Sequence, residues 1–235
     1  MRVAIHQPNF LPWMGYFYKM AQCDAFVLLD HVEFTKRSYT KRVLIHNKDD
    51  MNQDQYLMIP LQKHSDHIAI KDLKITNDSK WQDKIKAQIH QTYHKAPFYN
   101  QLEPLMDSFL VNPPKSDSFS DFTIVLIKFI AQTLNLNPTW VVSSHLDIEY
   151  TPKNINIDIL SHLNADTYIS GMGAKKYQDE EAFKTKEISL KYSDYKSYFE
   201  NLHLPHHFLN KSIISYLAHY DLEFLQEMLH KASDN

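Results

Sequence analysis

The hydrophobic pattern switches repeatedly between short unbroken apolar runs and longer stretches with helical spacing. Residues 3–5 form a first apolar run that reads as a strand. Pro8 and Pro12 then interrupt regular structure. Over 13–23 the apolar residues Met14, Phe17, Tyr18 and Ala21 fall on one helical side. Residues 25–29 are apolar throughout, which fits a strand buried on both faces of a parallel sheet. The chain therefore opens as a βαβ unit. Next, 43–46 and 55–60 read as two strands of a hairpin around a polar turn at 47–54. Ile68, Ile70 and Leu73 suggest a further short strand over 67–73. Asn77, Asp78 and Ser79 supply N-cap chemistry for a helix over 80–94, ended by Ala96 and Pro97. Helices follow at 98–110 and 120–134, separated by a polar loop at 112–118. The remainder reads as strand 140–143, helix 154–163, strand 167–169, helix 174–183, strand 189–192, and a terminal helix or helix pair over 211–230. Strands alternate with helices at both ends. That predicts an α/β, Rossmann-like fold with a mainly parallel central sheet flanked by helices. The hairpin and helices of 34–115 are expected as an insertion within a single domain spanning 1–235.

Composition removes several classes of function. The net charge of -3 gives no reason to expect nucleic acid as a partner. No run approaches the 18 apolar residues of a membrane span, and no basic, then apolar leader opens the sequence. With a single cysteine, Cys23, no intramolecular disulfide can form. A cytoplasmic protein without membrane insertion is the expectation, its oligomeric state left open. Glycine is the most informative count, because there are only three: Gly15, Gly171 and Gly173. Two of them sit two residues apart, where a positive φ or a close approach to something is expected.

Three segments carry candidate chemistry. After the first strand come His6, Gln7 and Asn9, held between prolines and followed by Trp13. The carboxyl end of a parallel strand is where ligands sit in such folds. His6 fits a general base or a donor to a developing anion, and otherwise a structural histidine bonded to a carbonyl. The second segment, Ser170-Gly171-Met172-Gly173, leads from a strand into a helix bearing Lys175 and Tyr177. Backbone N–H groups and a helix N-terminus at such a turn can receive an anion; the alternative is simply a tight connection. The third is Asp30, ending the second strand, followed by Lys36, Arg37, Tyr39, Lys41 and Arg42. These cations can clamp a phosphate or carboxylate, or form a solvated face. His90 and His94 are spaced i,i+4 but lack the acidic partner of a zinc motif, so no metal is expected. The third glycine of a dinucleotide fingerprint is also missing, and no cofactor is expected. Ser143-Ser144-His145 lacks a nucleophile elbow, and Cys23 reads as a buried structural thiol.

These same segments resemble a known family. His6-Gln7-Pro8-Asn9-Phe10-Leu11-Pro12-Trp13-Met14-Gly15-Tyr16-Phe17 is similar to the HQPNYxPWxGYF opening of the WbqC-like family. Phe26 to Asp30 with Lys36 to Tyr39 resembles its FVxLDDVQFxKRxW segment, and Tyr168 to Phe183 its YLSGxGAxxYLDExxF segment. Lys95-Ala96-Pro97-Phe98-Tyr99 also fits. His31, Val43 and Ser215 depart from the family pattern. The resemblance implies a part in lipopolysaccharide O-antigen or other surface-glycan biosynthesis. It suggests a transferase that modifies a nucleotide-linked amino sugar by acyl or aminoacyl transfer. The expected partners are then a sugar nucleotide or phosphosugar and an acyl or aminoacyl donor. His6, Asn9 and Asp30 are the catalytic candidates; Gln7, Trp13, Lys36, Arg37, Tyr39, Arg42, Ser170, Gly171, Gly173, Lys175 and Tyr177 are the substrate-binding ones. A fainter likeness runs to the HxGH and ISGT segments of Rossmann-like nucleotidyltransferases. There Trp13 and Tyr16 stand in place of both histidines. A nucleotidyltransferase or adenylate-forming ligase is the alternative enzyme, and a non-catalytic sugar-nucleotide-binding protein the alternative to an enzyme.

Overall fold

A computed structural model describes residues 1–78, 80–113, 116–151 and 153–232. Five parallel strands form the central sheet: β1 (Arg2–His6), β2 (Ala25–Leu28), β5 (Thr139–Val142), β6 (Thr167–Gly171) and β7 (Ser189–Ser193). A separate antiparallel hairpin pairs β3 (Arg42–His46) with β4 (Asp54–Met58), Val43 opposite Leu57. The helices are α1 (Met14–Ala21), α2 (Lys80–Tyr93), α3 (Glu103–Met106), α4 (Phe119–Thr133), α5 (Ile155–His162), α6 (Glu180–Thr185), α7 (Tyr195–Asn201), α8 (Ile213–His219) and α9 (Leu222–Ala232).

The sheet order is β5-β2-β1-β6-β7. Successive strands step outward from β1 to β5, and the chain then returns to lay β6 on the other side of β1. The direction of winding reverses between β1 and β6, and a crevice opens at the carboxyl ends of strands flanking such a reversal. The central strands β1, β2 and β6 bury both faces, since successive side chains point opposite ways, while the edge strands β5 and β7 stay partly exposed. Ala4, Phe26, Leu28 and Ile169 enter one buried cluster with α1, α4, α8 and α9. Val3, Ile5, Val27 and Tyr168 enter a second with Ile157, Ile159 and Leu160 of α5 and Phe183 at α6. The α/β, Rossmann-like reading therefore holds. The inserted segment sends Val43, Ile45, Leu57, Trp81 and Ile85 into the first cluster alongside α1.

Four local expectations change. Residues 67–73 do not form a strand; Ile70–Asp72 is a 3-10 turn. Its amides at Ile70 and Lys71 donate to the carbonyls of Val32 and Asp30, so the apolar alternation there reports burial rather than extension. Helix 98–110 is broken into a 3-10 turn (Tyr99–Leu102), α3 and a π turn (Asp107–Val111), with Pro104 at the junction unable to donate a helical bond. Helix 174–183 is split as well. Met172–Tyr177 is 3-10, and α6 starts afresh at Glu180 with the Asp179 carboxylate accepting from the Ala182 amide. At the start of α2 the Asp78 carboxylate accepts from the Lys80 amide, while Ser79, also expected to cap, lies outside the described residues.

The glycines overturn the fourth expectation. None has a positive φ. The left-handed positions are held instead by Leu11, His67, Asn135, Asn164, Glu187 and His203. Asn135, Asn164, Glu187 and His203 each lie just past a helix end, where glycine is the usual choice.

Candidate functional site

A cavity of about 470 Å³ lies over the carboxyl ends of β1, β6 and β7, at the winding reversal. His6, Gly171 and Ser193, the last residues of those three strands, all line it. Gln7, Trp13, Ser170 and Gly173 line it too, so the N-terminal loop and the glycine turn meet there. The loop is held from several sides. The Phe10 amide donates to the Thr40 carbonyl at 2.7 Å, and Thr40 Oγ1 to Gln7 Oε1 at 2.9 Å. Ser212 Oγ donates to the Leu11 carbonyl at 2.8 Å, and the Ile213 amide to that of Pro12 at 2.8 Å. These bonds keep Leu11, buried, at φ 43°, a conformation that costs a non-glycine residue about 1–2 kcal/mol.

Two basic groups share this cavity. The His6 ring packs edge-on against Tyr16 at 4.6 Å, with Nδ1 3.2 Å from the Gln7 carbonyl. Burial, then the charge of nearby Lys19, hold its pKa well below the usual histidine value; the Gln7 carbonyl opposes them. The imidazole is therefore neutral at pH 7. Lys19 was not among the sequence candidates. It sits on α1, where every residue from Met14 to Met20 is buried, and is itself only 4% exposed. Its Nζ donates to the Ile5 carbonyl at 2.9 Å. Burial brings its pKa down to about 7. The signal that could have revealed it is a single lysine inside an otherwise apolar helix.

Around the glycine turn, an added Cβ at Gly171 or Gly173 would meet nothing within 4 Å, whereas one at Gly15 would lie 2.3 Å from the Trp13 ring. The pair at 171 and 173 thus leaves open space in the cavity wall, and the crowded glycine is the third one. The six-residue 3-10 segment that follows gives no α-helix N-terminus here, which corrects the helix-dipole part of the anion reading. Ser170 Oγ accepts from Gln178 Nε2 at 2.8 Å. Lys175 is exposed over the Tyr192 ring at 5.3 Å and Tyr177 is 78% exposed; neither lines this cavity.

The third segment stands apart. Asp30 is 3% exposed and lines none of the cavities described here. Its carboxylate accepts from Ser143 Oγ at 3.0 Å, the Ser144 amide at 2.9 Å and Ser144 Oγ at 2.7 Å. His31 Nδ1 is 2.7 Å from the same Ser143 Oγ, so the serine is in the middle of the trio and fully buried, unlike a nucleophile relayed to an acid through histidine. Lys36 pairs in solvent with Asp66, and Arg37 is exposed. Arg42 donates to the Arg37 carbonyl and stacks over Tyr56 at 4.5 Å. Of this stretch Tyr39 reaches a cavity beside the N-terminal loop.

That is a second cavity, of about 400 Å³, between the N-terminal loop and the hairpin. Pro12, Tyr39, Val43 and Leu44 give it an apolar wall, and Asn9 and Asn210 supply amides. Asn9 is 7% exposed, and its Oδ1 has no hydrogen-bond partner among the described residues. His6 and Trp13 line both cavities. His90 and His94 stack on each other at 5.0 Å, and among the described residues no group of acids, histidines and cysteine is arranged to hold a metal ion.

The profile of the WbqC-like protein family matches residues 7–225, nearly the whole chain. The chain belongs to the WbqC-like family. It is also 24% identical over 198 residues, 84% of each chain, to the uncharacterized protein Rv1507c of Mycobacterium tuberculosis. No solved structure matches. The segments that carry the WbqC-like pattern are distributed unevenly over the site. The opening motif and the Ser-Gly-x-Gly turn wall the larger cavity, while the motif around Asp30 secures the end of β2 to the loop after β5. No helix among the described residues is long and apolar enough to cross a membrane.

Proposed function

We propose that this WbqC-like protein is a cytoplasmic transferase of surface-glycan biosynthesis that joins an acyl or aminoacyl group to a nucleotide-linked amino sugar. One observation carries the reading: two cavities of substrate size meet at His6 and Trp13. A group transfer needs two bound molecules with their reacting atoms side by side, and a shared wall supplies that proximity. The sugar nucleotide takes the cavity at the strand reversal, where dinucleotides bind in comparable folds. The second substrate takes the cavity against the hairpin, with its polar hydrogen on the free Oδ1 of Asn9. His6, neutral at working pH, accepts the proton that the sugar amine sheds as it attacks the acyl carbon, and the donor's carrier group leaves with that proton as its bond to the acyl carbon breaks. Trp13 separates the two substrates and gives each an aromatic surface. Asp30, saturated by hydroxyl and amide donors, acts by fixing the edge of the sheet rather than by moving protons.

The test is incubation of the purified chain with amino-sugar nucleotides and acyl or aminoacyl donors, read by mass spectrometry. Product whose formation is lost in His6→Ala supports the reading. A His6→Ala variant as fast as wild type removes His6 as the base, and no product from any pair removes the transferase. One other reading compatible with a nucleotide at the strand reversal is nucleotidyl transfer, which would release pyrophosphate from a nucleoside triphosphate.

A further inference from the structure

Lys19 is a buried amine with no ion-pair partner among the described residues. Its ammonium is 6.0 Å from the Phe26 ring, and among the described residues its one hydrogen bond runs to the Ile5 carbonyl. Burying an unpaired charge is expensive, and apolar residues fill such positions at less cost. The groups facing it do not supply a counter-ion. Just past the end of its helix, Cys23 has a thiol pushed up to about 12 by burial, so it is uncharged. On β1 the His6 imidazole is neutral, and on β6 the Tyr168 hydroxyl is raised by burial. On the segment entering α7, Asp194 lines the cavity but spends its carboxylate on the Ser197 amide at 3.1 Å and Ser197 Oγ at 2.7 Å. Its neighbours are the neutral phenol of Tyr195, raised by burial, and Lys196, paired with Glu200 at 3.8 Å.

The same cavity contains a second underused group. Ser193, at the end of β7, is 7% exposed and its Oγ has no hydrogen-bond partner among the described residues. Opposite it, Gly171 and Gly173 leave open space. No arginine lines the cavity. A lone ammonium acts as a point charge and suits a phosphate, whereas a planar carboxylate is better matched by an arginine fork.

We propose that the cavity at the β1–β6 reversal seats the phosphate of its ligand against Lys19 Nζ and Ser193 Oγ, and that Lys19 takes up a proton from solvent as the phosphate enters. The proposal deepens the transferase reading by naming the anchor of the sugar nucleotide, and it moves that role from Arg37 and Arg42 to Lys19. No covalent bond is made or broken: one proton moves from solvent to Nζ, and the resulting cation is neutralised by the ligand.

The experiment is titration calorimetry of the full chain with UDP, glucosamine 1-phosphate and, as the uncharged control, uridine. Each titration is run in two buffers of different ionisation enthalpy between pH 7.5 and 9.5. Free Lys19 is mostly neutral at pH 8.5, so about one proton is taken up per phosphate ligand there, and affinity falls up to about tenfold per pH unit above pH 7.5. Lys19→Met weakens UDP at least about tenfold at pH 7.5 and abolishes the uptake, and Ser193→Ala weakens it less. Uridine binds both proteins alike. Binding of UDP without proton uptake in the wild type overturns the coupling, a measurement that needs no variant. Wild-type affinity in Lys19→Met, or no heat from either phosphate, overturns the anchor. The calorimetry is independent of turnover: proton-coupled UDP binding with no acyl product sinks the transferase and leaves the anchor standing.

Discussion

Alanine at each of the three glycines separates packing from ligand space. At Gly171 the backbone has φ -77° and ψ 146°, values any residue adopts, and nothing lies within 4 Å of an added Cβ there or at Gly173. Neither glycine is needed by the free protein. Alanine restricts the unfolded chain and should raise stability by about 0.4–1 kcal/mol, which for a chain of this size is about 1–4 °C in Tm. Gly15 behaves differently. There the new Cβ would sit 2.3–2.7 Å from three atoms of the Trp13 ring. Overpacking costs about 1–3 kcal/mol, while replacing glycine within a helix returns about 1 kcal/mol, so the net loss is about 0–2 kcal/mol. The colliding atoms are the far end of a partly exposed side chain, so the ring gives way rather than the helix. Trp13 lines both cavities, and its displacement reshapes both. Thermal melts with tryptophan emission and UDP titration test this together. Gly171→Ala and Gly173→Ala should melt at or above wild type yet bind UDP more weakly. Gly15→Ala should melt at or slightly below wild type with altered emission. A loss of several degrees in Gly171→Ala or Gly173→Ala refutes the claim that the fold has no need of those glycines. Unchanged UDP affinity in both refutes the claim that their space belongs to a ligand.

Other outcomes are as definite. Glu187 sits just past α6 at φ 57°, so Glu187→Gly should raise stability by about 0.5–1 kcal/mol, seen as a higher urea midpoint. Asp30→Ala leaves the Ser143 hydroxyl and the Ser144 amide and hydroxyl without their acceptor, and should cost about 3 kcal/mol or more, about 6 °C or more in Tm; a near-wild-type melt would mean these bonds are dispensable. Lys36→Ala, at an exposed pair with Asp66, should change neither Tm nor UDP binding. The fully buried His46 has a pKa lowered to about 3 by burial and by the Lys211, His207 and His219 charges, while its unfolded value stays near 6.5. The unfolded chain binds the proton first, so this stability is complete above pH 6.5 and is lost as pH falls toward 3. The urea midpoint should therefore drop between pH 7 and 4, and His46→Leu should flatten the drop; an identical slope would exclude His46 as a source.

What was legible in the sequence follows from the range of the physics involved. The central strands could be read because a strand buried on both faces is a continuous apolar run, and Ala25 to Leu28 needs no distant information to look like one. The breaks in the helical segments were harder. Pro104 was visible but sits inside an apolar pattern that a helix and a 3-10 or π turn satisfy equally, since only burial is encoded. The meeting of His6 with Ser170 and Gly171 was inferable, because both segments end strands and strand ends share one edge of a parallel sheet. Asp30 closely follows a strand too, so the same rule pointed to it equally. What distinguishes it is the set of donors from Ser143 and Ser144, more than a hundred residues away, which no local pattern announces. Arg37 and Arg42 drew attention as charges, but a charge near the surface has many ways to be held, as Arg42 is by a carbonyl and two tyrosines even though its buried Nε finds no hydrogen-bond partner among the described residues. Lys19 is the converse. In sequence it is one polar residue among apolar ones, as the half-exposed tail of an amphipathic helix would be. Only the burial of Met14 to Met20 turns it into an amine whose charge finds no partner among the described residues, a cost relieved either by giving up the proton or by a bound anion.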